Sequence, residues 1–467
     1  MPDPHEMTAA ELSAAFAAKD LSPVEATQSL LGRIEALDAE VNAFCLTDAA
    51  ASLAQAEASE RRWMEGRPLS PLDGVAVAVK DLLLTKGWAT RRGSLTVDGN
   101  GPWTEDAPAV ARLREAGAVL IGKTTTPEFG WKGSTDSPLS GVTRNPWNKA
   151  MTPGGSSGGS SAALAARFSP LALGTDGGGS IRIPASFAGV YGLKPSFGRV
   201  PAYPLSPFGT VAHVGPMSRT VRDASMLMNV ISRPDARDWF SLPPQGVDYT
   251  ARLGESMKGK RIAFSPRLGF AAKVIAEVET LVAAAVKRFE AMGARLEQVD
   301  PSTDDPSEMF QTLWWAGAGH LLGDLPEEKK RLLDPGLRKM AEEGGRIALK
   351  AYLAANQARG AYGSRMRQFM EGYDFLLTPS VATPAFDTGR LSPLDDDGRA
   401  WMQWTPFSFP FNLTQQPAAS VPCGFTKDGL PVGLQIVGRM FDDCGVLAAS
   451  AAFEAADPHF DKVPKGY

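Results

Sequence analysis

The chain has 467 residues, with 48 Lys and Arg against 52 Asp and Glu, a formal net charge of −4, and 43% hydrophobic residues. That is ample material for a packed core and far too apolar for intrinsic disorder. The slight acidity argues against a nucleic-acid binder, whose phosphate partners want a basic surface. No apolar run reaches the roughly 18–20 residues that span a bilayer. The start, MPDPHEMTAAELSAAF, lacks a basic stretch followed by an apolar one, so no signal peptide is expected. Cys45, Cys423 and Cys444 are too few and too scattered for a disulfide framework or a CxxC site. His5, His213, His320 and His459 show no HExxH or paired spacing, so no metal and no other cofactor is expected. The expected setting is cytoplasmic and reducing, away from membranes and nucleic acid.

In chain order, Thr8 with Glu11 and Ser22-Pro23-Val24-Glu25 are capping-box patterns, the second with proline at the first helical position. They predict two helices, and on the second Val24, Leu31, Ile34 and Val41 mark one buried face. Residues 1–70 are expected to form a helical segment packed on the core or on a dimer partner. The run Val75-Ala76-Val77-Ala78-Val79 reads as a strand covered on both faces. Residues 119–121 repeat it after a helix-like stretch at 109–115. Residues 171–173 and 261–264 are further short strands, the second followed by a long helix from about 274 to 291. The segments 418–425 and 431–438 flank Lys427-Asp428-Gly429, a hairpin signal. Strands alternating with helices predict an α/β fold. A single large domain over 71–467 is expected, a mixed sheet layered between helices, with loops or insertions at about 232–258 and 385–400.

Two short motifs are misleading. Residues 117–124, GAVLIGKT, match the phosphate-loop pattern GxxxxGK[ST], but their four variable positions are strand formers and Thr-Thr-Pro follows where a helix should open. Residues 154–158, GGSSG, match the nucleophile-elbow pattern GxSxG, but the preceding stretch is a proline-containing loop and not a strand.

Residues 153–185 read PGGSSGGSSAALAARFSPLALGTDGGGSIRIPA, two Gly/Ser-rich loops flanking a small-residue helix and a short strand. Gly177, Gly178 and Gly179 free the backbone to turn successive N–H groups into one concavity, a nest for an anion. Ser180 at its end combines a nucleophile with an oxyanion hole in one turn. A serine also needs something to take its proton. Lys80, at the end of the 75–79 run, is the candidate, because burial disfavours its ammonium form and strand alternation sends Asp81 to the other face. A lysine base near neutrality needs its ammonium destabilised by about 4 kcal/mol, within the range of buried lysines.

The 153–185 stretch closely resembles the signature sequence of the amidase signature family. The likeness continues in LDGVAVAVKDLL around Lys80, in GVTRNPWN at 141–148, in GLKPSFGRV at 192–200 and in AASVPCGFTKDGLPVGLQIVG at 418–438, about residues 10–455 in all. It places the signature core at about 75–200. The resemblance implies an amide hydrolase without a cofactor, working through a Ser–cis-Ser–Lys triad of Ser180, Ser156 and Lys80, the two serines 24 residues apart as in the family. It gives the oxyanion hole to the amides of Gly177, Gly178, Gly179 and Ser180. It makes Ser157 and Asp176 supporting hydrogen-bond groups and Arg182 a brace below the loop. Gly177 departs from the larger residue often found there, which points to a looser hole. Family habit pairs two copies through the N-terminal helices.

The same family includes the glutaminase subunit of the tRNA-dependent amidotransferase. That subunit typically carries Met-Asp-Glu-Phe-Ala-Met-Gly where this chain has TPEFGWKG at 126–133, and an acidic glutamine-binding residue where this chain has Thr405. Losing that charge removes the partner of a substrate ammonium. The stretch WMQWTPFSFPF at 401–411 offers Trp401, Trp404, Phe407 and Phe409 as walls of an apolar pocket, with Gly130, Trp131 and Trp404 as substrate-binding candidates. The expectation is therefore a stand-alone amidase for small apolar or aryl amides, with esters and carbamates sharing the chemistry. The alternatives are a non-catalytic binding member of the family and the glutaminase subunit.

Overall fold

In a computed structural model, all residues are described except 1, 302–303, 394–399, 458 and 460–461, together with the side chains of 400 and 401. The strands in chain order are β1 (Phe44–Thr47), β2 (Ala76–Lys80), β3 (Val119–Thr124), β4 (Asp136–Ser137), β5 (Gly141–Val142), β6 (Leu171–Asp176) and β7 (Tyr191–Lys194). Then follow β8 (His213–Ser218), β9 (Arg261–Phe264), β10 (Arg295–Gln298), β11 (Phe375–Pro379), β12 (Ala418–Phe425) and β13 (Pro431–Gly438). Among the described residues, β4 and β5 pair by themselves. The rest form one 11-stranded sheet in the order β1-β3-β2-β6-β8-β7-β12-β13-β11-β9-β10. It is mixed: β3, β2 and β6 run parallel at one end and β11, β9 and β10 at the other, with antiparallel pairs between.

Alternation along β2 sorts the core into layers. Val75, Val77 and Val79 face one side with Leu120, Leu171 and Leu173, where larger side chains fill the space beneath the helix Pro108–Glu115. Ala76 and Ala78 face the other with Ala162, Ala163 and Ala172, small residues that let the helix Gly158–Ala165 approach the sheet closely. The register pairs Val79 with Lys123 and with Leu173, so β6 carries Thr175 and Asp176 past the end of β2.

Both capping boxes close, at Thr8/Glu11 and Ser22/Glu25. The buried stripe of the second helix, Pro23–Val41, runs through Ala26, Thr27, Leu30, Ile34 and Val41. Val24 and Leu31 are only half-buried, because each stands one residue, about 100° of turn, beyond Pro23 and Leu30. The N-terminal segment lies on the core, with Ala9 and Ala10 N–H groups donating to Asp223 at 3.0 Å each. It is not purely helical: Phe44–Thr47 adds an edge strand antiparallel to β3, too short to show a period in the sequence. Residues 232–258 carry neither helix nor strand. Of 385–400, residues 394–399 lie outside the described residues. No described helix is long and apolar enough to cross a membrane.

Candidate active site

Lys80 closes β2 on the Ala76/Ala78 face, wholly buried. Its Nζ donates to Ser156 Oγ (2.7 Å), Ser157 Oγ (2.9 Å) and Thr175 Oγ1 (2.8 Å), with the Thr175 carbonyl at 3.4 Å. All four neighbours are uncharged oxygens. Burial therefore pushes the amine well below the usual lysine range, and the more distant Asp176 carboxylate only opposes that fall. Asp81 points the other way, as alternation requires, and meets Lys123 at 3.4 Å. Lys123, the lysine of the phosphate-loop match, lies inside β3 and donates to Leu83 O (2.6 Å) and Thr90 Oγ1 (2.8 Å). That segment is strand, with no loop to cradle a phosphate.

Ser156 and Ser157 precede the helix Gly158–Ala165 on a loop, not on a strand turn, and the Gly155–Ser156 peptide is cis. Ser157 joins the two serine loops: its N–H donates to the Ser180 carbonyl (3.1 Å) and its hydroxyl to the Thr175 carbonyl (3.2 Å). Ser180 follows Gly177–Gly178–Gly179 after β6 and is nearly buried.

Asp176 anchors this turn. Its carboxylate accepts from the Gly179 and Ile181 N–H groups (2.7 and 3.1 Å), from Arg182 Nε and Nη2 (3.0 and 2.9 Å) and from Asn412 Nδ2 (2.8 Å). Burial alone would raise its proton affinity, but Arg182, Lys194 and Asn412 outweigh that and hold the carboxyl well below the ordinary carboxylate range. Arg182, wholly buried, spends its other donors on the Ser408 carbonyl (2.9 Å), Gln435 Oε1 (2.7 Å) and Asn412 Oδ1 (2.7 Å). Asn412 and Gln435 are missed by the sequence reading. The signal for Gln435 is a glutamine inside the apolar strand PVGLQIVG; Asn412, in a short helix 230 residues from Arg182, has none.

Two glycine expectations change. Of the three loop glycines only Gly179 has a left-handed φ, 127°, and its N–H is taken by Asp176, so it shapes the turn and does not point into the cavity. A Cβ on Gly177 would lie 2.6 Å from the Trp314 ring. The turn is therefore not left open at Gly177, because the indole of a distant helix fills the missing side chain's space.

Ser156, Thr175, Gly177 and Ser180 form the polar end of a cavity of about 640 Å³. Phe129, Gly130, residues 201–209, Trp314 and Leu321 build much of its remaining wall. Phe208 and Trp314 stack with centroids 3.8 Å apart and planes 11° apart. Gly130 lines this cavity, and a Cβ there would lie 3.2 Å from Ser156 Oγ. Trp131 and Trp404 are not in the lining. Trp131 is buried against Gly336, and Trp404 stacks on Phe187 at 5.7 Å. Phe407 and Phe409 are likewise core, Thr405 is wholly buried, and the side chain of Trp401 lies outside the described residues. Burying an aromatic side chain in the core satisfies it as fully as lining a pocket does. His213 also lines the cavity, but burial and Lys194 push its imidazole well below the ordinary histidine range.

The family model described as Amidase matches residues 25–447. The chain is 37% identical over 467 residues to an acylamidase of Rhodococcus erythropolis, covering 98% of this chain and 97% of the relative. It is 38% identical over 486 residues to the A subunit of the glutamyl-tRNA(Gln) amidotransferase of Myxococcus xanthus, covering 97% and 98%. Among solved structures it is similar to a bacterial aryl acylamidase of the amidase signature enzymes, with TM-score 0.93, 31% identity and 100% of both chains covered. It is also similar to 6-aminohexanoate cyclic dimer hydrolase, with TM-score 0.89, 28% identity and 99% of both covered. Sequence, fold and the serine loops agree that the chain belongs to the amidase signature family and is an amide-hydrolysing enzyme.

Proposed function

We propose that the protein hydrolyses small amides with an apolar or aryl body, using Ser180 as nucleophile, Ser156 as proton relay and Lys80 as base. The observation that carries this reading is Lys80, a buried amine among four uncharged oxygens, 2.7 Å from Ser156 in the wall that also holds Ser180. Ser180 Oγ attacks the amide carbon and gives its proton to Ser156, which passes its own to the neutral Lys80. The tetrahedral oxyanion is held by the amides of Gly177, Gly178 and Ser180, one such donor contributing about 3–4 kcal/mol. Returning the proton from Lys80 through Ser156 to the nitrogen breaks the C–N bond. The amine leaves, and water then cleaves the acyl-serine. Asp176 and Arg182 hold the turn and exchange no proton. Esters and carbamates fit the same steps.

The glutaminase reading is second, favoured by the 38% identity to the amidotransferase of Myxococcus xanthus. Against it, no Asp or Glu is found in the cavity wall among the described residues, so the ammonium of glutamine would enter without a counter-charge. The test is the purified chain alone with an aryl acylamide, a short aliphatic amide, an aryl carbamate and glutamine. Release of arylamine, lost in Ser180→Ala, is expected. Glutamine turnover alone, or silence until the other amidotransferase chains are added, would replace this reading by the second.

A further inference from the structure

We propose that Arg92 determines specificity by binding a carboxylate carried by the substrate, so that the preferred amides have an apolar body and an anionic end. The proposal rests on the amidase reading and adds to it the charge of the substrate.

Arg92 is half-buried in the cavity that holds Ser156 and Ser180. Among the described residues its guanidinium makes no hydrogen bond or ion pair with another side chain. The nearby anion, Asp81, is already engaged, since it pairs with Lys123 at 3.4 Å. Two cations thus share one carboxylate. Among the described residues the cavity wall offers no acid in compensation, burial and Lys194 push the His213 imidazole well below the ordinary histidine range, and His320 is exposed. Arginine does not discharge when buried, and a cation only partly compensated beside an apolar wall is costly unless a ligand supplies a further anion.

The backbone holds Arg92 in place. Arg92 and Phe129, both lining the cavity, adopt left-handed φ values of 58° and 52°, and the Phe129 N–H donates to the Arg92 carbonyl at 2.8 Å. Left-handed φ is uncommon for such side chains and persists where the surroundings impose it, often at functional sites. A Cβ on Gly130, the next residue, would lie 2.8 Å from Leu82 and 3.2 Å from Ser156 Oγ, so only glycine lets the chain pass this close to both. One wall therefore holds both the Ser156 hydroxyl and Arg92, and the planar donor fork of an arginine suits a carboxylate.

The test reads binding, not turnover, in the Ser180→Ala background by calorimetry. One probe pair is 4-acetamidobenzoate against its neutral isostere 4-nitroacetanilide. A second pair carries the charge on the acyl side, N-phenylsuccinamate against N-phenylpentanamide. In at least one pair the anion is expected to bind at least about tenfold tighter, one charge-assisted bidentate pair's worth. Arg92→Met and Arg92→Gln should each cut that preference at least fivefold, and Arg92→Lys should retain part of it. A preference that both neutral variants leave within fivefold, or its absence in both pairs, overturns the proposal. Failure of the amidase reading shows separately, as turnover that survives Ser180→Ala.

Discussion

Lys80 ends β2 and Lys123 stands one residue before the end of the neighbouring parallel strand β3, one register step apart, since Val79 pairs with Lys123 and Lys80 with Thr124. Both are wholly buried, and in both burial pushes the amine below the usual lysine range. They differ in what meets the nitrogen. Lys80 faces three hydroxyls and a carbonyl beside the cavity, whereas Lys123 faces Asp81, the Leu83 carbonyl and Thr90 on the other side of the sheet. A carboxylate at 3.4 Å favours the charged form and makes a brace. Hydroxyls that can themselves carry a proton favour a neutral amine able to take one. Burial supplies the same push to both lysines, and the partners decide the role.

The comparison breaks most sharply by truncation. Ser180→Ala should lower amide kcat by roughly 10⁶-fold and Lys80→Ala by roughly 10⁴–10⁶-fold, as for other triads. Lys80→Ala should keep the thermal midpoint close to wild type, since it removes a poorly solvated amine. Wild-type-like turnover of an aryl acylamide by Lys80→Ala at pH 8 would refute the base role. Lys123→Met should do the reverse. Asp81 left without its cation should cost about 3 kcal/mol in urea unfolding, while kcat of the folded protein stays within about threefold. A collapse of kcat at unchanged stability would erase the distinction between the two lysines.

The proton itself offers a finer test. Lys80 holds its proton more weakly folded than unfolded, where its pKa is about 10.4. The base is competent above the folded value, so kcat/KM should climb with pH and level off well before pH 10. Between the two values the unfolded chain binds the extra proton, so stability rises with pH across that window. Relative to Lys80→Met, the wild type should therefore gain urea stability from pH 7 to pH 9. No relative gain would mean that Lys80 stays charged in the fold, as a brace would. The smallest effect expected is at the cavity wall. Gly177→Val should cost about 1–3 kcal/mol by overpacking against Trp314. Trp314→Ala should relieve much of that and shift preference several-fold towards bulkier acyl groups; a double-mutant cycle showing no coupling would separate the two residues.

Much of the site is legible locally. A five-residue apolar run ending in lysine fixes which face Lys80 takes, because side chains alternate along any strand. The glycine run before Ser180 fixes a tight turn, and Thr8/Glu11 and Ser22/Glu25 fix two helix starts, because each device works within four residues of itself. Trp404 and Phe409 are different. The same side chains suit a core and a pocket wall equally, and the choice fell to packing against Phe187 and Phe310, out of reach of any local pattern.

The sequence by itself determined many of the elements, the family and the candidates for the reacting groups, since those follow from backbone sterics and from side-chain chemistry along short stretches. Only the tertiary structure decided that Asn412 and Gln435 brace Arg182, that Trp314 stands in for a side chain on Gly177 and that Arg92 lines the cavity. These are meetings of segments tens to hundreds of residues apart. They are set by how the whole sheet closes and what each packed layer leaves unfilled, and no residue carries that in its own neighbourhood.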